Sequence, residues 1–301
     1  MKTLSKKVTN YLGLVLAALI AASVFIPSIT IAQEARAEFD EGRYRINIAG
    51  RQRMLTQRMA KAVCYVHEGH EVDMHLEMLE GDYHLFSDTL DILLNGGGEH
   101  NLAPETDRRT VEELGHVAKH WAPLSEIITR AVETGVVSDE DEEFVDTHDL
   151  ELLEDSNHAV SLIEQNYANP NTLNMATAIT LNIFGRQRML AQRSAKDLCY
   201  VATGLHPDKQ RADLDETQGM FSISLDAIQF GLPEMGIAPP PTEEIAAQLG
   251  IVAKIWHDMD EVFLAVINGA APTDEQITFI AFESVLLQEE MNKAVQMYSS
   301  H

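Results

Sequence analysis

A fifteen-residue segment occurs twice in the chain, and this repeat constrains the fold more than any other feature of the sequence. Residues 47–61 read NIAGRQRMLTQRMAK, and residues 182–196 read NIFGRQRMLAQRSAK, 135 positions later. The same offset aligns both tryptophans and both cysteines of the chain, without a gap. Self-similarity at a fixed period indicates two copies of one structural unit.

Each copy is predicted to form four helices, because Gly, Pro and polar clusters interrupt the helical patterns. Asn95-Gly96-Gly97-Gly98 and Pro239-Pro240-Pro241 are typical breaks of this kind. The connections between helices are short, which favours antiparallel neighbours. The predicted fold is therefore all-α, with two tandem up-down four-helix bundles at 38–168 and 171–301. The predicted helices span 36–69, 72–94, 106–135, 139–167, 171–204, 207–230, 242–268 and 273–299.

Residues 1–37 are predicted to be an export segment that places the rest of the chain in the periplasm or another extracytoplasmic compartment. Three lysines precede an uncharged stretch from Val8 to Gln33, and Ala35-Arg36-Ala37 supplies the small residues that signal peptidase requires. Residues 11–31 are also long enough to span a bilayer. A cleaved signal is favoured over an uncleaved anchor because Pro27 interrupts a short apolar core.

The chain is strongly acidic, but the repeated segment is basic. The formal net charge of −25 excludes the basic footprint that nucleic acid binding needs. The first copy of the segment carries Arg51, Arg53, Arg58 and Lys61 and no acid. One interpretation pairs these cations with acids of neighbouring helices, as structural ion pairs. The candidate acids are Glu77, Glu80, Asp82 and Asp88.

On a helical wheel the repeated segment has two faces. One face is an apolar stripe that includes Ile48, Leu55 and Met59 and is typical of a bundle core. The other face combines small residues with one Arg and one Gln, whose planar donors suit a trigonal oxyanion. It comprises Ile46, Gly50, Arg53, Gln57, Ala60 and Cys64, and in the second copy Leu181, Gly185, Arg188, Gln192, Ala195 and Cys199.

The motif Gly-Arg-Gln-Arg-Met-Leu-x-Gln-Arg-x-Ala-Lys resembles the signature of the PilJ-type sensor domain, the N-terminal extracytoplasmic domain of type IV pili methyl-accepting transducers. It is also similar to the nitrate/nitrite sensor domain of the NarX/NarQ kinases, which holds its anion between symmetry-related first helices. The resemblance implies that Arg53 is an anion ligand and that Arg188 is its counterpart. The second copy departs from the pattern at Phe184, where a bulky ring is expected to fill or reshape the pocket. The full set of candidate ligand residues is Arg53, Arg188, Gly50, Gly185, Gln57, Gln192, Arg51 and Arg186.

One chain contains two first helices, so we expect an intrachain pseudo-dimer in which Arg53 and Arg188 approach each other. An ordinary homodimer is the alternative. Cys64 and Cys199 occupy equivalent positions. A disulfide between them is possible in an oxidising compartment, although a small buried side chain is the more frequent role of such a cysteine.

The predicted function is that of an extracytoplasmic ligand-binding sensor module for a small anion, with a signalling partner in or at the membrane. No output module follows the second copy, so the signal is expected to leave through that partner. The alternative is a structural or partner-docking helical protein without a small ligand. No enzyme motif, cofactor motif or haem attachment motif is found. A metal site at His116 and His120, or near His67, His70 and His75, is disfavoured because no third ligand lies in register.

Overall fold

A computed structural model describes residues 26–167 and 175–299, and within these ranges the chain forms eight α-helices and no strand. The predicted all-α fold is confirmed. The first copy consists of α1 (Ile26–His67), α2 (Val72–Asn95), α3 (Arg108–Thr134) and α4 (Asp139–Tyr167). The second copy consists of α5 (Met175–Thr203), α6 (Pro207–Phe230), α7 (Glu243–Ile267) and α8 (Asp274–Ser299), with a short 3-10 turn at Pro233–Met235.

The helix ends agree with the sequence prediction to within a few residues, apart from the start of α1, which lies at Ile26 rather than at residue 36. Most of the predicted export segment, residues 1–25, lies outside the described residues, as does the predicted start of the fifth helix at residue 171. Among the helices of the described ranges, none combines the length and the apolar character that a membrane crossing needs.

Local capping explains where several helices begin and end. The carboxylate of Asp107 accepts a hydrogen bond from the backbone N–H of Thr110 at 3.0 Å and so caps α3. Gly135, with φ 71°, ends the same helix in the left-handed conformation that glycine adopts without strain. Thr242 caps α7 through the backbone N–H of Ile245 at 3.3 Å.

Each copy folds into an up-down four-helix bundle with its own core. In the first bundle α1 packs against α2 and α4, and α3 closes the ring; α5 to α8 repeat this arrangement. The two tryptophans occupy equivalent core positions. The indole N–H of Trp121 donates to Ser87 at 3.2 Å, and that of Trp256 donates to Ser222 at 2.9 Å. The duplication is therefore preserved in individual side-chain contacts.

The interface between the two bundles is centred on their first helices α1 and α5, and side chains of α4, α6 and α8 also form contacts across it. Every residue from Ile48 to Val66 is buried except Arg51 and Arg58. In α5 every residue from Phe184 to Val201 is buried except Arg186 and Arg193, which are the counterparts of Arg51 and Arg58. The repeated segment is therefore an interior element, with one side in its own bundle and the other against the second copy.

A disulfide joins α1 to α5 near the C-terminal end of both repeats. It links Cys64 to Cys199, whose Cα atoms are 6.3 Å apart, and both residues are fully buried. The sequence favoured small unbonded cysteines over this disulfide, and in the structure the bonded state is present. The two cysteines occupy equivalent positions in the two copies, so the disulfide joins the copies symmetrically.

Candidate functional site

Arg53 and Arg188 lie close together in the interface between α1 and α5. Their exposed fractions are 5 % and 9 %, which is unusual for arginine. A Cβ atom placed on Gly185 would lie 3.2 Å from Nη2 of Arg53 and 3.8 Å from Nη2 of Arg188, so these two atoms are within about 7 Å of each other. Gly185 therefore provides the space in which both guanidinium groups fit. We refer to Arg53 and Arg188 together as the arginine pair.

The arginine pair has few hydrogen-bond partners for its many donors. Nη1 and Nη2 of Arg53 donate to Oδ1 of Asn182 at 3.3 and 3.4 Å, across the interface. Nη1 of Arg188 donates to Oδ1 of Asn292 at 3.1 Å, within its own bundle. The Nε atoms of both arginines are buried and find no acceptor among the described residues. Since a guanidinium carries five N–H donors, each arginine retains unused donors inside the protein.

Both members of the pair carry a positive charge, and no carboxylate of the described residues forms an ion pair with either of them. Burial lowers the pKa of Arg53 to about 10; burial, together with the charge of Arg53, lowers the pKa of Arg188 to about 10. Both groups therefore remain protonated at neutral pH. Within the described residues, neither forms an ion pair. The charge of Glu164 raises the pKa of Arg53 and so opposes the effect of burial. Burial raises the pKa of Glu164 itself, and the charges of Arg53 and Arg186 oppose that rise.

Three other cations of the repeated segment, namely Arg58, Arg193 and Lys196, do have carboxylate partners. Arg58 donates Nε to Oδ2 of Asp82 at 2.6 Å, and its terminal nitrogen reaches the second oxygen of the same carboxylate. Lys196 lies 2.6 Å from Oδ2 of Asp149. Arg193 lies 3.5 Å from Glu216. The structural ion-pair interpretation holds for these side chains and fails for the arginine pair, which separates two roles within one motif.

The predicted ligand residues divide into those that the fold brings together and those that it does not. Gly50 lies beside the arginine pair, because its Cβ position is 3.5 Å from Nη2 of Arg53. Arg51 is half-buried and donates to Thr89 of α2 at 3.4 Å, so it leaves the interface. Arg186 is exposed, although its charge is felt at Arg53. These two flanking arginines contribute positive potential rather than contacts.

The two predicted glutamines turn away from the arginine pair. The Nε2 atom of Gln57 donates to Oδ2 of Asp149 in α4 at 3.0 Å, and that of Gln192 donates to the carbonyl of Ser284 in α8 at 2.8 Å. Both glutamines thus bond to the fourth helix of their own bundle. The helical wheel placed them on the arginine face, but the chain of a glutamine is long enough to reach a helix packed on either side.

Asn182 and Asn292 are contacts of the arginine pair that sequence reasoning did not assign to the site. The repeat alignment contained a signal for them, because Asn182 matches Asn47 and Asn292 matches Asn157. A repeated asparagine at an inward helix position indicates a polar group with a partner. Which arginine it meets depends on the packing of the copies, and Asn47 is exposed while Asn182 is not.

Phe184 lies inside the second bundle, where its ring centroid is 5.2 Å from that of Tyr298 in α8. It is 1 % exposed. In the first bundle the counterpart Ala49 lines a cavity of about 10 Å³ together with Gln52 and Ser156. The ring contact of Phe184 is thus made with the fourth helix of its own bundle.

Of the histidines named from the sequence, His116 and His120 each contact one carboxylate, and His67 contacts those of Glu68 and Asp139. Nδ1 of His116 is 3.7 Å from Glu113, and Nδ1 of His120 is 2.7 Å from Asp155. Within residues 26–167 and 175–299 no group of three His, Cys, Asp or Glu side chains is arranged to hold a metal ion.

Comparison with protein families identifies one family that matches both copies. The family model described as the type IV pili methyl-accepting chemotaxis transducer N-terminal domain (PilJ) matches residues 43–141 and, separately, residues 171–278. No curated protein matches the chain. Domains of this family are sensor domains in signalling, typically extracytoplasmic, and are not catalysts. Each match includes the repeated segment of one copy, and together the matches cover more than half of the sequence, so this chain belongs to the PilJ family of chemotaxis transducer N-terminal domains, present in two tandem copies.

Proposed function

We propose that this chain is an extracytoplasmic sensor that binds one small trigonal anion, of the nitrate or nitrite type, between Arg53 and Arg188. The observation that carries the proposal is the arginine pair itself, since two protonated guanidinium groups are buried side by side without a carboxylate partner. Burial of unpaired like charges costs free energy in the empty protein. A bound anion offsets this cost.

The geometry of the pair suits an anion with several acceptor oxygens. Two hydrogen bonds of about 2.9 Å, one from each side, bridge a gap of this size through a single small anion. The unused Nε donors of Arg53 and Arg188 supply further charge-assisted bonds. Because both arginines are nearly inaccessible to water, each of these bonds forms in a medium of low effective dielectric.

Three observations support an extracytoplasmic location and a membrane-associated partner. The disulfide between Cys64 and Cys199 is of the kind that persists in oxidising compartments. The sequence of residues 1–37 has the pattern of an export segment or anchor. The family match is to the N-terminal part of a chemotaxis transducer. Anion binding at the contact of α1 with α5 would change how the two bundles pack against each other. A partner protein would bind one of the two arrangements more tightly than the other.

Calorimetric titration of the protein with nitrate, nitrite, chloride and sulfate tests the proposal. We expect one site per chain, and we expect binding to weaken at least tenfold in both Arg53→Ala and Arg188→Ala. Arg53→Lys should recover little, because an ammonium lacks the planar fork. Arg130→Ala is the control variant, since Arg130 is exposed and paired with Asp141 on the surface. Equal affinity in wild type and both alanine variants would overturn the proposal.

A stability measurement distinguishes a ligand site from a structural role of the arginine pair. If the pair exists to bind an anion, Arg53→Met should leave the anion-free protein as stable as wild type or more stable, because it removes a buried unpaired charge. The same variant should lose the increase in melting temperature that the anion produces in wild type. A variant that is strongly destabilised without anion, and still stabilised by it, contradicts a binding role.

A further inference from the structure

We infer that the chain holds a second small-anion site, at the place where Lys61, Gln192 and Ser284 meet between α1, α5 and α8. Lys61 and Gln192 are the counterparts of the two side chains that hold a carboxylate in the other copy, but here the carboxylate itself is missing. The inference does not depend on the arginine pair, because no residue is shared between the two places.

The first copy shows what the donors are built to hold. Oδ2 of Asp149, on α4, accepts hydrogen bonds from Nζ of Lys196 at 2.6 Å and from Nε2 of Gln57 at 3.0 Å. All three side chains are buried. Lys196 belongs to the second copy, so the contact crosses between the bundles. One carboxylate is thus clamped by a lysine of one copy and a glutamine of the other.

The second copy has an equivalent place, in which one of the three residues is different. Lys61, Gln192 and Ser284 are the counterparts of Lys196, Gln57 and Asp149. Nζ of Lys61 donates to Oγ of Ser284 at 3.1 Å, and Nε2 of Gln192 turns to the carbonyl of the same serine at 2.8 Å. Lys61 and Ser284 are 0 % exposed, as is Gln192. The lysine therefore keeps two N–H donors and a charge inside the protein, without the carboxylate that its counterpart has.

A second acidic side chain is lost beside the first. In the first copy Asp146 accepts a hydrogen bond from Gln210 of α6 at 2.5 Å. The counterparts in the second place are Ala281 and His75. His75 is 0 % exposed, and neither of its ring nitrogens has a partner among the described residues. The second place therefore lacks both of the carboxylates that the first place has.

The charges around Lys61 call for a monovalent anion. From α1 the nearest charge is Arg58, and from α2 it is Asp82; these two pair with each other and cancel. From α5 and α8 the packed side chains are Gln192 and Ser284, which are uncharged. Burial lowers the pKa of His75 to about 3, so this ring is neutral at neutral pH. When Lys61 is protonated, its single positive charge remains to be balanced.

Anion binding at this place takes up a proton in the neutral range. Burial and the charge of Arg58 lower the pKa of Lys61 to about 7, so the empty site loses its proton near neutrality. A halide or a small carboxylate such as formate favours the protonated lysine. Binding should therefore be several-fold tighter at pH 6 than at pH 8.

Thermal unfolding in formate tests the site, with gluconate as a larger anion to keep ionic strength constant. At pH 6 the melting temperature of wild type should rise by about 3 °C when formate replaces gluconate. Ser284→Asp supplies the missing carboxylate from within the chain, so it should melt higher and lose the formate response. Lys61→Met should lose the response as well. Ser161→Asp, which adds the same charge at an exposed position of α4, is the control and should respond like wild type.

The outcomes separate this site from the arginine pair. A formate response that persists in Arg53→Ala and disappears in Ser284→Asp supports the inference. A response that disappears in Arg53→Ala and persists in Ser284→Asp belongs to the arginine pair and overturns the inference. Crystals of the protein grown in bromide give a direct readout, since an anomalous peak within about 3.5 Å of Nζ of Lys61 is expected in wild type and none in Ser284→Asp. The absence of such a peak in wild type also overturns it.

Discussion

Lys196 Nζ lies 2.6 Å from Oδ2 of Asp149, and this buried ion pair joins the second copy to the first. A third buried group, Asp197, lies 3.4 Å from the same ammonium. The lysine at the equivalent position of the first copy, Lys61, has a serine at 3.1 Å instead. Two lysines in matched positions therefore differ in whether a carboxylate contacts them, and each is a reference for the contribution of the other to stability.

Substitution of the two lysines by methionine should have unequal effects. Lys196→Met leaves the carboxylates of Asp149 and Asp197 buried without their cation, and we expect the free energy of unfolding to fall by about 3–5 kcal/mol. Lys61→Met removes a cation that has no carboxylate partner, and we expect a loss of less than about 1 kcal/mol or a gain. Urea unfolding of both variants without small anions measures the difference. Equal losses would show that the ion pair contributes nothing specific.

Gly185 should be more important for binding than for stability. In Gly185→Ala the new Cβ lies 3.2 Å from Nη2 of Arg53, so the guanidinium must move, while the helix gains about 1 kcal/mol from the better propensity of alanine. We expect anion binding to weaken at least tenfold in calorimetry while the melting temperature is unchanged or higher. Gly219→Ala in α6 is the matched control, because nothing lies within 4 Å of its Cβ position. It should stabilise the chain and leave binding unchanged.

The disulfide should contribute strongly to stability because it closes a long loop. Cys64 and Cys199 are separated by 135 positions in the sequence, and closing a loop of this size destabilises the unfolded chain by about 5 kcal/mol in the entropic model. The double variant Cys64→Ser, Cys199→Ser should therefore lose about 2–4 kcal/mol in denaturant unfolding. Intact mass with and without reductant verifies the bond in the wild type. If the mass does not change after reduction of the unfolded chain, the bond is not formed.

His75 should make the folded state sensitive to acid. Burial lowers its pKa to about 3, well below the ordinary value of 6.5, so between these values the unfolded chain binds more protons than the folded chain. The stability that depends on neutral His75 is complete above pH 6.5 and is lost as the pH falls towards 3. Between pH 7 and pH 5 this amounts to about 2 kcal/mol. His75→Gln, which copies Gln210 of the second bundle, should reduce the loss measured over this interval; an unchanged loss would assign the acid sensitivity to other groups.

Much of the fold could be predicted because local residue types determine where the helices end. The glycines after Asn95 and the prolines before Thr242 end or begin helices wherever the chain is placed. The contact of α1 with α5 was also predictable, since small residues recur on one face of both repeats. The start of α1 was predicted ten residues too late, because the stretch before residue 36 was interpreted as an export segment.

The partners of the charged side chains could not be predicted in the same way. Arg58 and Arg53 are five positions apart in one motif, yet the first meets Asp82 of α2 and the second meets Asn182 of the other copy. Spacing along the chain decides the face of the helix, whereas the partner depends on which helix covers that face. The substitution of Asp149 by Ser284 is visible in the repeat alignment, but its meaning appears only when Lys61 is found opposite.

The covalent joining of the two copies has a consequence for how such a sensor can evolve. Where two identical subunits meet on a twofold axis, every mutation appears on both sides at once, and a change that helps one side is imposed on the other. Here the two copies are encoded separately within one chain, so each can change without the other. Asn182 holds Arg53 while Asn47 is exposed, and a serine occupies one lysine site while an aspartate occupies the other. A sensor of this architecture can therefore become directional, with one half specialised for the stimulus and the other for its transmission.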